Sequence, residues 1–137
     1  MNPVVLDTSV VIAAALSSTG ASAALIDAFY ADQLTIAYTA SLLTEYMEVM
    51  ERPEFAAAID ANTRRSFAMK LRANGILVQP SPVPPAAWPD VDDLPFVAAA
   101  LSTPSKLIVT LNPRDFVPAA AFGLRVLSPS EARRDLL

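Results

Sequence analysis

Three acidic residues lie far apart in the chain, each tied to an apolar segment. Asp7 follows Val-Val-Leu, Glu45 lies in Ser-Leu-Leu-Thr-Glu-Tyr, and Asp93 lies in Pro-Asp-Val-Asp-Asp-Leu-Pro-Phe. A later apolar run, Leu-Ile-Val-Thr-Leu, is followed by Asn112. Open parallel sheets bind ligands in the crevice at the carboxyl ends of their strands. Carboxylates gathered there repel one another unless a divalent cation sits among them. Mg²⁺ and Mn²⁺ prefer such oxygen donors. A cation of this kind lowers the pKa of a water and neutralises charge on a phosphate, which makes metal-dependent phosphodiester chemistry the leading reading.

The rest of the composition narrows the choice. The 137 residues contain no Cys and no His. Thiolate sites, disulfides and histidine acid–base catalysis are therefore excluded, and acid–base work falls to carboxylates, Tyr, Lys or a metal-activated water. The lack of Cys fits a cytoplasmic location. The formal net charge is -4, against the basic surface usual for tight, nonspecific nucleic-acid binding. No basic segment with a following apolar stretch opens the chain, and its apolar runs are short, so neither a signal peptide nor a membrane span is expected.

The elements that must position these residues alternate. Val4 to Leu6 reads as a fully buried strand, short and without alternation. Val10 to Leu16 reads as a helix capped by Thr8 or Ser9, and Ser22 to Tyr30 as another. Leu34 to Tyr38 is a second strand. Leu42 to Met50 is helical, with Leu42, Leu43, Tyr46, Met47, Val49 and Met50 in one stripe. Glu45 falls at the margin of that stripe, whereas Glu48 and Glu51 fall outside it and are expected to be solvated.

Arg52-Pro53 ends this helix, with a short one at Phe55 to Ile59. Thr63 caps a helix that runs to Asn74 and stops at Gly75. Ile76 to Gln79 is a weak third strand, and Pro80 to Pro89 an extended connection. Asp93 and Pro95 open a helix over Phe96 to Leu101. Strands at Leu107 to Leu111 and Leu124 to Leu127 come next, with a helical turn at Pro118 to Phe122 between them. Ser128-Pro129-Ser130-Glu131 carries the capping-box pattern of a last helix. Alternating strands and helices predict one domain over residues 1–137 with a parallel sheet.

Taken singly, each polar residue has a plain structural reading. Asp7 forms a turn, Asp93 caps a helix, Glu45 sits half-exposed, and Asn112 and Asp115 occupy a loop. The hydroxyls of Thr8, Ser9 and Thr110 either cap helices or orient a carboxylate. Arg64, Arg65, Lys70 and Arg72 read as a solvated helix face rather than a phosphate clamp. Joint placement is what favours chemistry. A phosphoaccepting receiver-type domain also puts an Asp at a strand end. It wants a paired acidic cluster there and a Lys after a late strand, and this chain has neither.

The stretches VVLDTSVVIAAAL, LLTEYMEVMERPEF, DVDDLPFVAAAL and KLIVTLNPRDF, followed by LRVLSPSEA, resemble the PIN domain family. The likeness is to its branch of toxin components of toxin–antitoxin systems, the VapC-like ribonuclease toxins. The resemblance implies a three-layer α/β/α sandwich around a central parallel sheet of about four to five strands. It implies a Mg²⁺- or Mn²⁺-dependent endoribonuclease. It assigns catalytic positions to Asp7, Glu45, Asp93 and Asn112, with Asp115 nearby, and metal positions to Asp7, Glu45 and Asp93. It also implies an RNA substrate, a protein antitoxin and a homodimer. Asp90 and Asp92 enrich the same loop. The chain departs from the common pattern at Asn112, where a carboxylate is usual, at Leu94 and at Ser9. A competing reading keeps the fold with a degraded site, as a non-catalytic interaction or RNA-binding protein.

Overall fold

Val4, Val5 and Leu6 form β1 and are fully buried, as an apolar run without alternation requires. A computed structural model describes residues 2–137 and shows why. β1 is sandwiched between neighbours on both edges. On one side it pairs in parallel with β4 (Leu107–Val109), in the register Val4 to Leu107, Val5 to Ile108 and Leu6 to Val109. β4 pairs in parallel with β5 (Arg125–Leu127). On the other side, β2 (Ala37–Tyr38) and β3 (Ile76–Leu77) form a two-stranded parallel ladder. A single parallel bridge, Val4 to Ile36, joins the two ladders, and the Val4 N–H donates to the Thr35 carbonyl at 2.9 Å. The order across the molecule is β3–β2–β1–β4–β5. The expected parallel sheet is thus a three-stranded and a two-stranded ladder sharing one seam.

The strands are connected by α1 (Thr8–Leu16), α2 (Ala21–Tyr30), α3 (Ala40–Met50), α4 (Pro53–Ala56), α5 (Ala61–Asn74) and α6 (Leu94–Leu101), with α7 (Pro129–Leu136) last. α6 packs on β1, β4 and β2, and α2 packs against α1 and α7. Large side chains that fill the interior include Tyr46, Phe29, Phe96 and Phe116. The result is an α/β sandwich. Among the described residues no single helix is long and apolar enough to cross a membrane. α1 and α2 together would be, but they meet at 92° and line the core.

Two capping expectations are corrected. α1 begins at Thr8 itself, with Asp7 in the N-cap position, so neither Thr8 nor Ser9 caps it. α5 begins at Ala61, and Asp60, not Thr63, is its cap, accepting from the Thr63 N–H at 2.8 Å. Asp60 wins because its carboxylate is a stronger acceptor than a hydroxyl. Other elements shift more modestly. The short helix after Arg52 is Pro53–Ala56, and the expected turn at Pro118 extends back into a 3-10 segment over Pro113–Phe122. Gly75 does end α5, though at an ordinary φ of -72°. Its hydrogen is needed for space: a Cβ there would lie 2.5 Å from the Leu71 carbonyl oxygen.

Candidate active site

All five strands run the same way, so their carboxyl ends share one edge. Three of them lead directly into a polar residue suited to starting a helix. Thr39 after β2 accepts from the Leu42 N–H at 3.2 Å and caps α3. Ser128 after β5 forms a complete capping box with Glu131. Asp7 after β1 occupies the same position for α1 and makes no side-chain cap. Its Oδ2 instead accepts from the Thr110 hydroxyl at 2.6 Å and the Ser9 hydroxyl at 3.0 Å. Thr110 comes directly after β4, the strand beside β1. Strand order reverses between β1 and β4, where such folds place their ligand crevice.

Asp93 repeats the pattern. It stands in the N-cap position of α6 and makes no side-chain cap. Its Oδ2 is buried and has no hydrogen-bond partner. Burial first, then the charges of Asp7, Asp115, Asp90 and Glu45, raise the Asp93 pKa from 3.8 to about 7. The caps in this loop go elsewhere: Asp90 accepts from the Asp92 N–H at 2.9 Å and opens the 3-10 helix Val91–Asp93. A buried acceptor without a donor is costly in a folded protein unless a ligand completes it.

Glu45 projects from α3, half-buried, and accepts from the Thr8 hydroxyl. The next residue, Tyr46, is fully buried and donates its hydroxyl to the Leu6 carbonyl at 2.5 Å. Burial, and then the charges of Asp7 and Glu45, push the Tyr46 phenol well above its usual range. It stays neutral and anchors α3 to the end of β1, which fixes where Glu45 stands. Glu48 and Glu51 are exposed, as expected from the stripe.

Asp7, Thr8, Glu45 and Asp93 line one open cleft of about 470 Å³ with Arg52, Val91 and Asp92. The fold thus brings three of the sequence-predicted positions to one place. Asn112 is exposed and lies outside this cleft, in a neighbouring hollow with Leu111, Arg114 and Asp115. Its backbone N–H donates to the Thr110 hydroxyl, so it holds Thr110 rather than the cleft. Asp115 is half-buried and acts on Asp93 through its charge. Among the described residues no three carboxylates stand close enough to form a ready-made metal cage. The donor set nonetheless suits a hard cation: oxygen ligands only, two aspartates freed from capping, and one buried oxygen with nothing to accept from.

Sequence reasoning passed over Arg52, treating it only as the end of a helix. It follows α3 in the turn before Pro53, and its side chain lines the same cleft as Glu45. Three of the basic residues of α5 are engaged structurally, Arg65 by donating to Asn62 at 2.6 Å. Arg64 donates to the Ile59 carbonyl, and Lys70 pairs with Asp32 at 2.7 Å beside the Phe29 ring.

A family model described as PIN domain matches residues 3–114, and the chain belongs to the PIN domain family. The match spans Asp7, Glu45, Asp93 and Asn112 and stops one residue before Asp115. β5 and α7 lie beyond it yet complete the sheet and its packing. PIN domains are commonly nucleases and generally bind divalent metals. No curated protein and no solved structure matches the chain.

Proposed function

We propose that this PIN domain is a Mg²⁺- or Mn²⁺-dependent endoribonuclease that serves as the toxin of a toxin–antitoxin pair. The observation that carries the metal and the chemistry is the pair of aspartates in N-cap positions that cap nothing, Asp93 having a buried oxygen without a partner. Asp7, Glu45 and Asp93 would hold the ion. It would supply an activated water and neutralise charge on the scissile phosphate. The protein's own groups prepare that site. Thr110 and Ser9 fix the Asp7 carboxylate, and Thr8 fixes Glu45, so neither must reorganise. Asp93 carries a proton that is in play near neutral pH, in a chain without histidine.

RNA as substrate, a protein antitoxin and a homodimer rest on the sequence resemblance to the toxin branch, and a cytoplasmic setting on the lack of Cys. The test is cleavage of single-stranded RNA by purified protein with Mn²⁺ or Mg²⁺, against EDTA. Asp7→Asn and Asp93→Asn should each abolish cleavage while keeping the fold. Cleavage that survives in EDTA, or in both variants, refutes the mechanism. Growth arrest on induced expression, lost in Asp7→Asn, tests the toxin role.

A second reading keeps the fold with a degraded site. Asn112, exposed and outside the lining of the cleft, and the lack of a preformed three-carboxylate cage among the described residues favour it. Calorimetric titration with Mn²⁺ at neutral pH discriminates, since this reading expects no binding.

A further inference from the structure

The acidic cleft contains one basic side chain, Arg52. It sits in the turn between α3 and α4, and its backbone is held on both sides. The Arg52 N–H donates to the Val49 carbonyl at 3.1 Å, and its own carbonyl accepts from Phe55 and Ala56 at 2.9 Å. Pro53 comes next, at the first position of α4, and locks the turn's exit. The mount is rigid and the side chain is exposed.

Several other basic side chains find partners. Arg64, Lys70, Arg125 and Arg134 each form an ion pair, and Arg65 donates to Asn62. Among the described residues Arg52 makes no ion pair and no side-chain hydrogen bond, although it shares a cleft with Asp7, Glu45, Asp92 and Asp93. An unpaired guanidinium beside carboxylates that it does not neutralise is available for an incoming anion. A polyanion entering this cleft meets carboxylate charge, so a fixed cation at the wall has a large effect on capture. Arg also presents the fork of donors that matches phosphate oxygens.

We infer that Arg52 is the phosphate-holding residue of this cleft, gripping a backbone phosphate of single-stranded nucleic acid beside the carboxylates. The inference rests on the nuclease reading above and adds a binding residue to it.

The experiment measures steady-state cleavage of a short single-stranded RNA with Mn²⁺ across a KCl series. It compares wild type, Arg52→Gln and Arg52→Lys, with thermal melts as a folding control. Loss of one phosphate contact should raise KM about tenfold with kcat little changed. It should also make the slope of log kcat/KM against log[KCl] shallower by about 0.7. Arg52→Lys keeps the charge and should keep the slope. A purely structural role would lower the melting temperature and kcat and leave the slope alone, which overturns the assignment. Wild-type cleavage with identical KM and slope in Arg52→Gln overturns it while sparing the nuclease reading. Wild-type protein that leaves the RNA intact overturns both.

Discussion

The Thr110 hydroxyl donates to Oδ2 of Asp7 at 2.6 Å, across 103 residues of sequence. Both residues come directly after strands that lie side by side, and Thr110 is fully buried. The bond ties the ends of β1 and β4 and sets the direction of a carboxylate that would otherwise cap α1. Asn112 in turn donates its backbone N–H to the same hydroxyl at 2.9 Å.

Thr110→Val should therefore lose a buried bond to a charged group. The expected cost is about 1.5–3 kcal/mol, read from the shift of a urea midpoint. Thr110→Ser keeps the hydroxyl and should recover most of it. Equal midpoints for Thr110→Val and wild type would contradict the geometry.

Asp93 makes the stability of the metal-free protein depend on pH in an uncommon direction. Its folded pKa, about 7, lies above the ordinary 3.8, so the folded state holds the proton more tightly than the unfolded one. Its contribution is present below the ordinary value and is lost as pH rises toward 7. In EDTA, Asp93→Asn should gain melting temperature relative to wild type as pH goes from 4 to 8. A constant difference across that range would show that Asp93 is not desolvated as described.

Cation binding should act on the same group in the opposite sense. Mn²⁺ at a hundred times its Kd should stabilise wild type by about 2.7 kcal/mol at pH 8. The gain should shrink in Asp93→Asn and in Asp7→Asn. Differential scanning calorimetry with and without EDTA measures it.

Gly75 offers a prediction far from the cleft. Ala at this position places its methyl 2.5 Å from the backbone oxygen of Leu71 and 3.0 Å from the Tyr38 ring. The Leu71 oxygen is backbone and cannot yield without moving α5. We expect a loss of about 1–3 kcal/mol by denaturant unfolding. A Gly75→Ala protein as stable as wild type would mean that α5 shifts freely.

Much of this was legible in the sequence because it is local. The unbroken apolar run Val4 to Leu6 reads as a doubly covered strand and is one, and the Ser128 to Glu131 capping box forms in full. The stripe on α3 correctly separated Glu45 from Glu48. What escaped was decided by distant partners. Whether Asp7 caps α1 depends on Thr110, and no local pattern carries that pairing. The cap of α5 is Asp60 rather than Thr63 because, of two good caps three residues apart, the carboxylate is the stronger acceptor. Arg52 was overlooked because the proline after it explained its position fully.

The cleft draws on positions 7, 45 and 93 and is braced from position 110. Such a pocket has no early form. A ribosome making this chain must release β4 before Asp7 can be held, and Thr110 lies 103 residues after Asp7. Products that stop before Thr110 lack the brace, so an emerging chain carries Asp7 and Glu45 long before it can hold them as an assembled pocket.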